Sequence, residues 1–220
     1  MNADPQTVRE FLVELRRRMA GAGQQSPLPA AGDLREVVPG DDLVARFRIA
    51  AETAGCRVYR SSDQDWLAVV RHIVADHGAH SVLIEPQPET ALDAERAAAL
   101  QVALTADGIA ATEDRTDESL FSVDVAVTGV ESAVAETGTL MCVSGADSAR
   151  GATLIPLVHI ALVAGSQILG DLFDLFAQLG AGRELPAAVS WITGPSKTAD
   201  IEGVLVTGVH GPGEVHIVIV

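Results

Sequence analysis

Three polar segments of the sequence each follow an apolar, strand-like run and hold side chains that could act on a small molecule. The first is Glu136-Thr137-Gly138. A carboxylate beside a glycine can lie where a substrate approaches the backbone, so Glu136 could act as a base or attack an acyl group. We predict a catalytic role for Glu136 and ligand contacts for Thr137 and Gly138. In the alternative, Glu136 is a solvated carboxylate that caps the N–H groups of a turn.

The second segment runs from Ala149 to Val163 and combines a cation with a histidine inside an apolar strand. His159 could orient a substrate or act as a base, although a core histidine bonded to a carbonyl group is the more common arrangement. Arg150 could hold a carboxylate or phosphate group through a bidentate contact. It could also make only a surface ion pair.

The third segment begins at Gly194-Pro195, directly after an apolar strand. Ser196 or Thr198 is placed to cap a short helix that continues through Ile201. The free N–H groups of such a turn would form an anion-binding nest, to which Lys197 adds a positive charge. The predicted ligand-binding residues here are Gly194, Ser196, Lys197, Thr198, Asp200, Glu202 and Gly211. In the alternative, the two acids only cap and pair within the motif.

A glycine-bounded histidine completes the third segment. The tight loop from Gly208 to Pro212 would bring His210, a third catalytic candidate, toward the same edge of the sheet. Neither this loop nor the Gly-Pro motif fits a Walker A phosphate loop or a Rossmann fingerprint. Ligands of open α/β sheets bind outside the carboxyl ends of the strands, so we expect all three segments at that edge.

The remaining histidines and the cysteines indicate no metal centre. His72, His77 and His80 are scattered over a helix and a loop, and we interpret them as surface residues without a metal. Cys56 and Cys142 are far apart in sequence and no Cys-x-x-Cys motif exists, so the chain offers no scaffold for an iron–sulfur cluster or a cysteine-type zinc site, and we expect no intrinsic cofactor. Two separate cysteines fit a reducing cytoplasm.

Composition excludes several classes of protein. The 220 residues are 48% hydrophobic and carry a net charge of −15, which favours a folded core and repels a nucleic-acid backbone. A small anionic metabolite can still bind where one pocket is locally positive. No apolar run approaches the length of a membrane helix, and the N-terminus lacks the pattern of a secretory signal.

The elements that must position these residues alternate between helices and short apolar strands. Residues 1–39 are predicted to form a helical arm (Pro5 to Met19) and a linker, and residues 40–220 one α/β domain. Strands are predicted at 56–59, 81–84, 109–112, 122–130, 139–144, 156–163, 188–192 and 215–220; helices are predicted at 41–54, 66–76, 92–104 and 171–179, with Ser62 or Asp63 capping the second. This alternation indicates a mostly parallel sheet flanked by helices.

Two features predict antiparallel additions to that sheet. Only Ser132 to Gly138 separates two of the predicted strands, which is too short for a helical crossover and requires at least one antiparallel pair. The terminal strands could form another, and Val215 to Val220 would close the sheet. The helical arm and the high apolar content are compatible with a homodimer.

Four motifs, in this order and spacing, resemble the LUD-domain family, in particular its lactate utilization protein C branch. They are AETGTL (135–140), HIALV (159–163), ITGPSKTADIE (192–202) and TGVHGP (207–212), and the resemblance spans about residues 40–220. It implies a fold similar to the NagB/RpiA/CoA-transferase group, with kinship to 5-formyltetrahydrofolate cyclo-ligase. The family often has arginine where this chain has Lys197, which keeps the charge but loses the bidentate fork.

The resemblance also implies a function. It predicts a non-redox accessory or regulatory component of L-lactate oxidation to pyruvate, working with separate iron–sulfur proteins. An alternative is a ligase or transferase acting on a carboxylated or phosphorylated small molecule, because CoA transferases use a glutamate in a turn similar to Glu136-Thr137-Gly138. Whether the chain is itself an enzyme stays open at this point.

Overall fold

The computed structural model describes residues 9, 11, 13, 14, 16, 17, 35–38, 40–62, 64–145, 149–180, 186–201 and 204–220. The chain divides into two units, residues 1–35 and 36–220. In the first unit the described residues preceding position 18 are helical, as the sequence predicts for this stretch, and Arg17 forms an ion pair of 2.8 Å with Glu14. The second unit holds every element discussed below.

The second unit alternates helices and strands. Its α-helices are α1 Leu43–Ala54, α2 Trp66–Asp76, α3 Ala94–Ala106, α4 Asp117–Ser122 and α5 Leu172–Gly180. Its strands are β1 Arg57–Arg60, β2 Ser81–Glu85, β3 Ala110–Thr112, β4 Val125–Gly129, β5 Ser132–Val134, β6 Thr139–Ser144, β7 Val158–Val163, β8 Ile168–Leu169, β9 Ala188–Ile192, β10 Lys197–Ile201, β11 Val204–Thr207 and β12 Glu214–Ile219. Short 3₁₀ turns lie at Arg150–Thr153 and Gly165–Gln167. Among these described helices none has the length and apolar character of a membrane span.

Six strands form one parallel sheet in the order β1-β12-β7-β4-β2-β3, which confirms the predicted α/β class. The expectation that the C-terminal strand closes the sheet and pairs antiparallel is wrong. Strand β12 lies inside the sheet, parallel to β1 on one side and to β7 on the other. Its side chains are buried on both faces, with Ile217 in one core and Val218 in the other, as is typical of a strand inside a parallel sheet.

Each face of the parallel sheet packs against its own apolar layer. On one face, α2 and α3 contribute Val70, Ile73 and Leu100 to a core that also holds Ile160 of β7. On the other face, α1 contributes Phe47 and Ala51, which pack with residues of the second sheet and of β12. The sheet is therefore covered on both sides, as a run of fully buried parallel strands requires.

The second sheet, in the order β8-β5-β6-β9, contains the antiparallel pair that the sequence predicts, but from different residues. Strand β4 belongs to the parallel sheet, and Ser132–Val134, expected to be part of a connection, forms strand β5. All three of its residues are buried, and the segment pairs antiparallel with β6 instead of serving as the connection to it.

Helix ends follow local side chains only in part. Helix α1 begins where the Asp42 carboxylate accepts a hydrogen bond from the backbone N–H of Ala45, and ends at Gly55 in a left-handed conformation. Helix α2 is different. Ser62 donates to the Asp65 carboxylate at 2.6 Å instead of capping the helix, and Asp63 lies outside the described residues.

Candidate functional site

The Gly194–Lys197 segment packs on the C-terminal end of helix α1. The Lys197 ammonium donates to the carbonyl oxygen of Ala54 at 2.8 Å. Gly194 has a φ of +78°, and a Cβ atom there would lie 2.4 Å from the same Ala54 oxygen, so only glycine permits this approach. A cation is favoured at a helix C-terminus, and the charge of Lys197 is therefore engaged with the helix end.

The predicted helix after Gly194-Pro195 is wrong. Residues Lys197–Ile201 form strand β10, which pairs antiparallel with β11 through Lys197 opposite Thr207 and Thr198 opposite Val206. The β-branched residues on both strands favour this hairpin over a helix. The helix N-terminus on which the predicted anion nest depends is accordingly not formed. Glu202 and the side chain of Asp200 lie outside the described residues.

The loop that carries His210 reaches Ser196, as the sequence predicts. The backbone N–H of Ser196 donates to the Pro212 carbonyl at 2.9 Å, and a Cβ atom added at Gly211 would lie 3.1 Å from the Ser196 Cβ. His210 itself is exposed. This loop leads into β12, so it lies at the amino ends of the parallel strands, opposite to the edge that the sequence analysis expects.

The Glu136-Thr137-Gly138 turn rests on the same helix. Gly138 has a φ of +68°, and a Cβ atom there would lie 2.3 Å from the backbone nitrogen of Ala51. Thr137, Thr139 and Thr193 form a chain of hydroxyl hydrogen bonds, at 2.6 and 2.8 Å, that joins this turn to the Gly194 motif. The side chain of Glu136 is half-buried. The first and third predicted segments therefore meet on α1.

The second predicted segment contacts the third at the amino edge of the sheet, where a Cβ atom added at Gly211 would lie 3.7 Å from the Leu154 carbonyl oxygen. His159 is fully buried, and its Nε2 atom lies 2.9 Å from the Thr128 hydroxyl. Burial, with a smaller contribution from the charge of His216, lowers the pKa of His159 to about 4, so its imidazole is neutral near pH 7. Arg150 is exposed at the start of its 3₁₀ turn. The roles predicted for both residues stay predictions.

The carboxyl edge of the parallel sheet carries a different polar set. A cleft of about 360 Å³ opens there, lined by Glu89, Glu131, Ser132, Ser166, Gln167, Leu169 and Gln178, and none of these is a predicted site residue. Nearby, the carboxylate of Glu85 accepts from Arg115 Nε at 2.9 Å and from the Ala149 N–H at 3.0 Å. Glu85 is buried, and burial raises its pKa in spite of these two partners.

The amino edge of the sheet holds a larger cleft and a cluster that the sequence analysis missed. The cleft has a volume of about 490 Å³ and is lined by residues that include His77, Asp124, Gly208 and Glu214. Glu214 lies beside two histidines: its Oε2 atom is 3.4 Å from His77 Nε2 and 3.6 Å from His216 Nε2. Burial lowers the pKa of His216 to about 4. His77, expected on the surface, is half-buried.

One sequence signal could have found this cluster. Glu214 directly precedes the predicted strand 215–220 and lies two residues before His216, so extending that strand by one residue would place the two side chains on the same face. The contribution of His77 was not accessible in this way, because it depends on where helix α2 packs against that face. These three residues are the ones in the described part of the chain that could hold a metal ion.

Comparisons with known proteins agree with this architecture. The sequence profile of the LUD domain matches residues 44–220. The chain is similar to proteins named "Lactate utilization protein C", with 34% identity over 103 residues in Halalkalibacterium halodurans and 37% over 106 residues in Bacillus subtilis. Each alignment covers 45% of this chain and 45% or 44% of the relative, so the chain spans less than half the length of these curated relatives.

A solved structure shows the same fold. It is the crystal structure of a DUF162 family protein from Deinococcus radiodurans, which matches 80% of this chain and 95% of that one with a TM-score of 0.57 and 20% identity. At this identity the likeness concerns the fold alone. It supports the parallel sheet with its smaller antiparallel additions, whereas the finer kinship with CoA transferases stays a prediction.

Proposed function

The chain belongs to the LUD-domain family, and from this premise we propose that it acts in lactate utilization as a component without a redox centre of its own. The observation that carries the proposal is the similarity to proteins named "Lactate utilization protein C" in several bacteria. Because less than half of each relative is aligned, the reaction of the whole system, L-lactate to pyruvate, is itself part of the proposal.

The state of the two cysteines supports a role without redox chemistry at thiols. Cys56 and Cys142 are both free and buried. Burial raises the pKa of Cys142 to about 12, and burial also raises the pKa of Cys56 although Lys197 and a Gly194 backbone contact oppose it. A thiolate is the reactive form of cysteine, so neither residue is disposed to exchange electrons or bind a cluster.

Oxidation of L-lactate to pyruvate releases two electrons, and in this proposal they pass to separate iron–sulfur proteins. The chain would assist those partners by binding them or a small anionic metabolite. The alternative of a ligase or transferase with Glu136 as base or nucleophile stays a prediction. Its carboxylate lies in a turn that packs on helix α1, and the backbone N–H of Glu136 donates to the Gly170 carbonyl oxygen at 3.0 Å.

Deletion of the gene in its own organism tests the proposal. We expect the deletion strain to lose growth on L-lactate as the sole carbon source and to grow normally on pyruvate. The full chain supplied in trans should restore growth and should co-purify iron–sulfur proteins under anaerobic conditions. Equal growth of the deleted and parental strains on L-lactate would contradict a role in lactate utilization.

The same strain separates the two candidate functions. A chain with Glu136→Gln keeps the size of the side chain and removes its charge, and we expect it to restore growth on L-lactate fully. Loss of growth with a folded, normally abundant Glu136→Gln chain would instead favour the transferase or ligase alternative.

A further inference from the structure

Two histidines and one glutamate meet at the amino edge of the parallel sheet with the spacing of metal ligands. Glu214 Oε2 is 3.4 Å from His77 Nε2 and 3.6 Å from His216 Nε2, and one ligand atom of each residue lies within 4.8 Å of the other two. Two ligands bound tetrahedrally to Zn²⁺ at about 2.0–2.2 Å are roughly 3.4 Å apart. The carboxylate is thus already at ligand spacing from each imidazole.

The other nitrogen of each imidazole is held by a hydrogen bond. His77 Nδ1 lies 2.8 Å from the Ile73 carbonyl oxygen, which can only accept, so this nitrogen carries the proton. The Tyr59 hydroxyl lies 3.2 Å from His216 Nδ1. Metal-binding histidines usually have their second nitrogen fixed in this way by a carbonyl or polar group, which leaves Nε2 free to coordinate.

One atom that faces the centre of the cluster lacks a partner. His216 is 1% exposed, and its Nε2 atom makes no hydrogen bond with any residue that the structure describes. A buried polar atom without a partner is costly and uncommon. The neighbouring cation does not remove this cost, because Arg57 Nη2 approaches Glu214 Oε2 at 3.0 Å and leaves His216 Nε2 unpaired.

We propose that His77, Glu214 and His216 form a binding site for a divalent first-row transition-metal ion. Two imidazoles and one carboxylate are a ligand set found for zinc and for non-haem iron, and such sites keep a coordination position open. Here that position faces the cleft of about 490 Å³, which His77 and Glu214 line and through which the ion and a small ligand would enter. The proposal is independent of any role in lactate utilization.

Zinc binding by the purified full-length chain tests the site directly. After treatment with a chelator and its removal, titration calorimetry with Zn²⁺ alone should show one ion per chain. Loss of a group that hydrogen-bonds to a metal ligand weakens metal sites by about 10–100-fold, so loss of the ligand itself in His77→Gln or Glu214→Gln should weaken binding by at least about 100-fold. His77 is half-buried, so His77→Gln should fold, which circular dichroism checks.

Three further variants separate this site from adventitious binding. His72→Gln removes an exposed histidine, paired with Asp76, on the helix that His77 directly follows, and should leave zinc affinity unchanged. Tyr59→Phe should weaken binding by about 10-fold, because it frees the second nitrogen of His216. Arg57→Gln should strengthen binding, because it removes the cation that competes for Glu214.

A visible absorption spectrum of the unmutated chain with bound Co²⁺ tests the metal site even if the variants fail to fold. Co²⁺ in place of Zn²⁺ should give the intense visible bands of a four- or five-coordinate ion. A spectrum identical to that of hydrated Co²⁺ would overturn the proposal. A zinc affinity of His77→Gln within threefold of the unmutated chain would overturn it equally.

Discussion

Replacing Gly138 by alanine should destabilise the protein by more than a change of backbone conformation alone explains. Gly138 has a φ of +68°, and an added Cβ atom would lie 2.3 Å from the Ala51 nitrogen and 2.6 Å from the Ala50 carbonyl carbon. The left-handed conformation costs a non-glycine residue about 1–2 kcal/mol. Forcing the turn away from helix α1 should add about 1–3 kcal/mol, as overpacking of a core does.

The sum is a loss of roughly 2–5 kcal/mol in the free energy of unfolding. Gly108→Ala is the matched control, because Gly108 has a φ of +79° and nothing within 4 Å of its added Cβ. It should therefore lose only about 1–2 kcal/mol. Urea unfolding followed by circular dichroism measures both variants. Equal losses in the two would refute the reasoning that the turn is packed directly on α1.

Three other predictions concern the contact of Lys197 with helix α1 and the burial of Glu85 and of the two cysteines. Lys197→Met should lower the free energy of unfolding by about 0.3–1 kcal/mol, since it removes an exposed cation from the Ala54 carbonyl, and the effect should shrink at high salt in thermal unfolding. Burial raises the pKa of Glu85, so its carboxyl group holds a proton more tightly in the folded state than in the unfolded state. The stability gained from this protonation disappears as pH rises through the folded pKa. The glutamine of Glu85→Gln does not titrate, so in urea unfolding the free energy of unfolding of the unmutated chain should fall relative to that of the variant as pH increases above about 4.5, and a constant difference across pH would contradict this expectation. Ellman's reagent should react far more slowly with Cys56 and Cys142 in the folded chain than in urea, because burial keeps both as thiols, and rapid labelling of the native protein would show otherwise.

Much of the local structure could be predicted because its causes are local. The buried strands β2, β4 and β7 are short apolar runs, and helix α1 begins and ends at Asp42 and Gly55, residue types that favour those ends. The parallel class follows from their alternation with helices. The motifs that resemble the LUD domain likewise depend only on residue identity and spacing, and the family profile confirms them.

The failures occur where a short segment depends on a distant partner. Ser132–Val134 is a strand because β6 and β8 lie beside it, and Lys197–Ile201 is a strand because Val204–Thr207 pairs with it. Three to five residues carry too little periodicity to distinguish a turn or a helix from a strand. The anion nest was predicted from that same ambiguous segment, so the helix N-terminus on which it depends is not formed, while the ligand-binding roles of its residues stay predictions.

By itself the sequence determined the residue types, their alternation and the face on which each strand places its side chains. It thus determined that the glycines at 138 and 194 permit a close approach. Only the tertiary structure decided what they approach. The insertion of β12 between β1 and β7 brings Glu214 and His216 next to His77, because strand order arises from long-range packing of apolar faces that local periodicity does not encode.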